Sequence, residues 1–184
     1  MTDFIAICHG RTEVILARWI SQQSRVKILV DAKNDGKQAI MLNNLIAFMK
    51  DNGYYNESRL KRRFRDIEYK HEKGLKDLRI FIIMDVDVDR RTANDFLTKK
   101  IFEECPLYDH IVPILSDRSL DDVMNSIDLP IASYNKLDDY KQALYSITVD
   151  DLYDMLRGRK DTNLGDMIAE ILEHSEDHQC KDWK

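Results

Sequence analysis

The sequence predicts an α/β fold: a central, mainly parallel four-stranded sheet flanked by helices, with a C-terminal helical extension. Two observations predict it. Short, nearly continuous apolar runs alternate with stretches of helical periodicity, giving the order βαβαβαβα, and such runs suit strands buried on both faces. After Ile131 only helical patterns remain. Parallel strands need right-handed crossovers, which place every strand's carboxyl end on one rim. The expected organisation is an α/β core over 1–130, a helical extension packed on it over 131–174, and a flexible tail over 175–184.

Each element follows from local chemistry. Phe4-Ile-Ala-Ile-Cys8 is the first strand, stopped by His9-Gly10, and Ile15, Leu16, Trp19 and Ile20 mark the helix after it. Val26-Lys-Ile-Leu-Val30 is the second strand, ending at Asp31 and a turn through Asn34-Asp35-Gly36. A helix is expected from about Lys37, with Ile40, Met41, Leu45, Ile46 and Met49 inward, stopped at Asn52-Gly53 before a further helical piece. The third strand covers 78–85. Thr92 with Asp95 suggests the cap of a helix carrying Phe96, Leu97, Ile101 and Phe102. His110-Ile-Val-Pro-Ile-Leu115 is the fourth strand, and Pro113 assigns it to a sheet edge or a bulge. Ser119 caps a helix through Ile127. The extension reads as helices over Asn135–Tyr145, Val149–Leu156 behind a Thr148-x-x-Asp151 cap, and Leu164–Leu172.

The chain has 184 residues, enough for one domain with its own core. Cys8, Cys105 and Cys180 are odd in number and lack a C-x-x-C pair, so neither a disulfide framework nor a thiolate zinc site is indicated, and a reducing cytoplasm is the expected location. The first residues carry no basic flank, and the apolar run near residue 5 is too short for a signal peptide or a membrane span. The formal charge of −5 argues against a uniformly basic nucleic-acid binder. Locally the balance reverses: from Arg59 to Lys76 there are eight Lys or Arg against three acids. Arg59, Lys61, Arg62, Arg63 and Arg65 therefore form either a phosphate-contacting patch or a solvated basic helix face.

The third strand ends in Asp85-Val-Asp-Val-Asp89. Side chains alternate across a strand, so Asp85, Asp87 and Asp89 would project from one face at the rim where open α/β sheets bind ligands. Crowded carboxylates repel unless a cation joins them, and an oxygen-only set suits Mg²⁺ or Mn²⁺; the bland alternative is an acidic loop. His9 and Glu13 follow the first strand on the same rim, Asp31 to Asp35 the second, and Ser116, Asp117, Asp121 and Asp122 the fourth. Glu13 also has a structural explanation, because a first-turn carboxylate favours its helix dipole.

A Gly turn followed by Glu after one strand, and Asp-x-Asp at the end of another, resembles the Toprim domain of topoisomerases, bacterial primases and the OLD (overcoming lysogenization defect) nucleases. Met84-Asp-Val-Asp-Val-Asp89 is similar to the Asp-x-Asp-x-Asp run of type II topoisomerases, and over residues 4–172 the nuclease branch is nearer. Its first motif reads like Glu-Gly-x-Thr-Glu, matched here by His9-Gly10-Arg11-Thr12-Glu13. Its acid before an apolar helix resembles Leu120-Asp-Asp-Val123, and its late lysine resembles Lys160 in Lys160-Asp-Thr-Asn-Leu164. The resemblance implies a Toprim/Rossmann-like fold and metal-dependent phosphodiester cleavage of DNA or RNA, in phage defence or nucleic-acid repair. It assigns Asp85, Asp87, Asp89, Glu13 and Asp121 to Mg²⁺ or Mn²⁺, with Glu13, His9 and Lys160 as the catalytic groups. The family's leading glutamate is His9 here, which leaves three readings: an enzyme of altered metal preference, an enzyme relying on Glu13, or a site retained only for binding. Nucleic acid is the expected partner, with an ATPase or other protein beside it, no membrane, and a homodimer compatible with either reading.

Other features carry less. His174-x-x-x-His178-x-Cys180 has zinc-ligand types but lies in the expected tail. Trp19, Met41, Met49, Phe96 and Phe102 read as core on apolar helix faces, and Asn34-Asp-Gly-Lys37 lacks nucleotide-loop spacing.

Overall fold

The computed structural model of the chain describes residues 3–65, 78–86, 88–127, 129 and 137–175. Four strands, β1 (Asp3–Cys8), β2 (Ile28–Asp31), β3 (Leu78–Asp85) and β4 (Ile111–Ser116), form one sheet in the order β2-β1-β3-β4, every pairing parallel. Pairing fixes the faces. Ile5 sits opposite both Leu29 and Ile80, a continuous aliphatic row, and Ile7 sits opposite Ile82 on one side and Asp31 on the other, where the row ends in a carboxylate. Both faces are covered, which is why the strands read as unbroken apolar runs rather than as alternation.

On one face Phe4, Ala6, Cys8, Phe81, Ile83 and Ile114 pack under α1 (Arg11–Ser24) and α5 (Leu120–Asn125), joined by α6 (Leu137–Leu144), α7 (Val149–Leu156) and α8 (Leu164–Leu172). On the other, Ile5, Ile7, Ile80, Ile82 and Met84 pack under α2 (Leu45–Asp51), α3 (Glu57–Arg63) and α4 (Arg90–Leu97). The helical extension thus supplies much of one covering layer. No helix among the described residues is long and apolar enough to cross a membrane.

Pro113 lies on β4 at the sheet's edge, as expected from its missing N–H. That edge is not bare. Asn163 donates its side-chain amide to the Pro113 carbonyl at 2.9 Å and accepts the Leu115 N–H at 2.8 Å. Ser116 and Thr162 form an antiparallel bridge, and Asp117 donates its N–H to the Asp161 carbonyl at 2.7 Å.

Three expectations change. The helix placed from Lys37 starts at Leu45, after a 3₁₀ turn over Leu42–Asn44. The reason is a tether: Ile40 donates its N–H to the His9 carbonyl at 2.8 Å and its own carbonyl accepts from His9 Nδ1 at 3.0 Å, which holds the segment extended and leaves Met41 exposed. The β3–β4 helix begins at Arg90 rather than at the Thr92 cap, and it stops at Leu97, because Lys99 takes a left-handed φ of 63°. Ile101 and Phe102 fall in a separate 3₁₀ turn. Ser175, assigned to the tail, is buried and donates its hydroxyl to the Ser24 carbonyl at 2.9 Å; 176–184 lie outside the described residues.

Candidate functional site

The order β2-β1-β3-β4 reverses direction between β1 and β3, and the crevice at the carboxyl ends of such a pair is where open α/β sheets place ligands. His9 follows β1 and Asp85 ends β3, so the two meet at that point: His9 Nε2 lies 4.0 Å from Asp85 Oδ2. The donation from Nδ1 to the Ile40 carbonyl settles the ring's tautomer when neutral, since a carbonyl can only accept. Nε2 is then the lone-pair nitrogen and faces the carboxylate. Asp85 Oδ1 accepts the Leu120 N–H at 2.9 Å, at the start of α5, which leaves Oδ2 as the oxygen toward His9.

Glu13 stands in the first turn of α1 and folds back to accept the Gly10 N–H at 2.8 Å through Oε2. It is only 2% exposed. Burial pushes its pKa from 4.5 up to about 7, and the charges of Asp85 and Asp121 push the same way. No Lys or Arg among the described residues is paired with it. Asp121, exposed at the start of α5, is raised by desolvation, while a hydrogen bond with the Thr12 side chain draws it down. Glu13, Asp85 and Asp121 thus share one electrostatic neighbourhood, and Thr12, quoted in the first motif without a role of its own, ties α1 to α5 across it.

The remaining rim residues have other engagements. Asp31, 5% exposed, accepts from the Tyr54 hydroxyl at 2.7 Å and from Arg63 at 2.6 Å. Ser116 is buried against Thr162, and Asp122 accepts from the Ser119 hydroxyl at 2.9 Å. Asp89 does not continue the strand face of Asp85: β3 ends at Asp85, and Asp89 is the N-cap of α4. It accepts the N–H groups of Arg91 and Thr92 and the Thr92 hydroxyl, which together hold its pKa below the usual carboxylate value. Asp87 lies outside the described residues. Lys160 is exposed and is carried toward the carboxyl end of β4 by its neighbours Asp161 and Thr162.

The basic helix forms as expected, but part of its charge is used internally. Arg63 bonds Asp31 and the Asn52 side chain, Lys61 pairs with Glu57 at 2.7 Å, and Arg62 Nε donates to the Ser58 carbonyl at 3.3 Å. Arg59 and Arg65 are exposed. In the zinc-type string, His174 packs edge-on against Phe4 and donates to the Glu170 carbonyl, while His178 and Cys180 lie outside the described residues.

The donors at the switch point match a hard divalent cation in kind. Glu13 and Asp85 offer carboxylate oxygens, and Mg²⁺ keeps several waters and is held through one or two carboxylates. Among the described residues no three His, Cys, Asp or Glu converge closely enough to hold an ion. Comparison of the chain with protein-family models, with curated proteins and with solved structures found no match in any of the three.

Proposed function

We propose that the chain is a divalent-metal-dependent nuclease of Toprim type, hydrolysing phosphodiester bonds of DNA or RNA in the cytoplasm, nearest to the OLD nuclease branch. The observation that carries the proposal is Glu13, a buried carboxylate at the switch point, set against Asp85 with no described cation beside it. A buried carboxylate whose described partners are backbone N–H groups alone is a candidate ligand.

Bound Mg²⁺ or Mn²⁺ would supply charge neutralisation at the phosphate and a more acidic water. Asp85 Oδ2 and Glu13 would hold it, with Asp121 and Asp87 completing the set. His9 Nε2 would accept the proton of the attacking water, its ring held by the Ile40 carbonyl. Lys160 would offset charge developing on the phosphate. Asp89 is left to its cap.

Incubation of labelled DNA and RNA with the protein and Mg²⁺ or Mn²⁺ is the direct test. Cleavage by the parent and none by Asp85→Ala with Asp87→Ala is expected; equal cleavage by both defeats the proposal.

One observation favours a second reading. His9 stands where the resemblance expects a glutamate, which removes one carboxylate from a rim where no three described ligands converge. The chain would then be a catalytically attenuated Toprim-like module that binds nucleic acid or a partner protein such as an ATPase. Thermal unfolding separates the two, because an ion bound to the native state alone raises Tm. No shift at millimolar Mn²⁺ selects the binding module.

A further inference from the structure

Away from the rim carboxylates, a groove of about 210 Å³ runs between α1 and α6. From α1 its wall takes positions 11, 14, 15, 18, 19 and 22, a single helical stripe about 16 Å long at 1.5 Å per residue. The stripe begins at Arg11, the first residue of α1, so one end of the groove lies toward the rim at the carboxyl end of β1. Three cations line it, Arg11, Arg18 and Lys141, against one acid, Asp35.

None of these charges is firmly held. Arg18 pairs with Asp35 at 2.7 Å and Lys141 with Asp138 at 3.9 Å, both solvent-exposed pairs of the kind that contribute little, and Arg11 has no ion pair among the described residues. Two aromatic residues complete the lining. Tyr145 is 65% exposed, which leaves its ring open to a stacking partner. Trp19 is 2% exposed, and its Nε1–H finds no acceptor among the described residues, which is an orphan donor of the sort that folded chains rarely keep.

We propose that this groove is a binding track for single-stranded nucleic acid entering or leaving the rim. Cations that follow a backbone and an exposed ring on which a base can stack are the two parts of such sites. The groove is smaller than the roughly 300–1,000 Å³ typical of pockets that enclose a ligand, which suits one stacked base with its phosphates rather than an engulfed nucleotide. A phosphate at the mouth would replace Asp35 as the partner of Arg18. The proposal rests on the nuclease reading for its substrate class, yet binding here needs no metal and no cleavage.

The test is a titration of the 184-residue chain with oligothymidylate in EDTA. Trp183→Phe leaves Trp19 as the sole tryptophan, whose fluorescence reports the groove. Fluorescence should change on binding, and log K should fall with log salt at a slope of about −2 for three phosphate contacts at about 0.7 each. Arg11→Gln with Lys141→Gln should flatten that slope by more than half, and Tyr145→Ala should weaken binding about tenfold. Asp35→Asn, which releases Arg18 and is tolerated at its positive φ, should tighten binding. Binding that leaves Trp19 silent, or that keeps its slope in the double variant with an unchanged Tm, overturns the track. So does equal competition by polyglutamate, which would make the groove an acidic-peptide site. Cleavage with Mn²⁺ is scored separately, so the track can fail with the nuclease intact, or stand without it.

Discussion

Two buried carboxylates end neighbouring parts of the same rim and meet opposite circumstances. Asp31, at the end of β2, has a phenol and a guanidinium directed at it, so its charge is balanced within the chain. Glu13, above the end of β1, has a backbone N–H and two other acids, and no described cation. The contrast separates a structural acid from a candidate ligand. Burial and rim position are common to both; what differs is whether the fold brings its own positive charge.

The largest effect expected from this contrast is on cleavage. Asp85→Asn keeps an oxygen for the Leu120 N–H and removes only charge, so activity should fall by about 10²–10³-fold while Tm holds or rises at pH 8. Single-turnover assays beside thermal melts measure both; a large loss of Tm instead would make Asp85 as structural as Asp31.

Next comes the pH dependence set by Glu13. The unfolded chain releases this proton near 4.5 and the folded chain near 7, so the folded state binds more protons in between. The Glu13 contribution to stability should therefore be largest below about pH 4.5, decline between there and about pH 7, and level off above, a change of up to about 3 kcal/mol at 1.36 kcal/mol per pH unit. Glu13→Gln should abolish the decline in urea titrations at pH 5 and 8, and Mn²⁺ should oppose it in the parent alone. An unchanged decline would assign the pH dependence elsewhere.

Arg63→Met should act the opposite way to Asp85→Asn. It strands Asp31 and Tyr54 without their cation and should lower stability by about 1–3 kcal/mol, less than for a fully buried pair because Arg63 is partly exposed, with the cleavage rate unchanged. The smallest effect is expected at Asp89. Serine preserves an N-cap, so Asp89→Ser should change neither Tm nor cleavage appreciably, whereas lost cleavage with an unchanged Tm would restore Asp89 to the ligand set.

Much of the frame was legible because each signal was local. The β3 run, the helices Val149–Leu156 and Leu164–Leu172, the Ser119 and Thr148 caps and the edge position of Pro113 depend on residues a few positions apart. What escaped depends on distant contacts. The tether from His9 to Ile40 spans 31 positions and overrides helical periodicity from Lys37 to Met41. Asp85-Val-Asp-Val-Asp89 looks uniform as text, yet Asp85 ends the strand at the rim while Asp89 caps α4. The rim position of Lys160 needs the Ser116–Thr162 bridge, and the α1–α6 groove needs Lys141 beside Arg11 and Arg18. Arg63 was visible as charge, but Asp31 as its consumer was not.

The Asn163 side chain on β4 has a consequence for solubility. An outermost strand with open amide and carbonyl groups is a template on which further chains can add, and here one asparagine amide occupies the Pro113 and Leu115 positions of that template. A proteolytic cut between Gly158 and Asn163 would do more than remove the last helix. It would uncover an adhesive border, and the shortened protein should gather into oligomers through it.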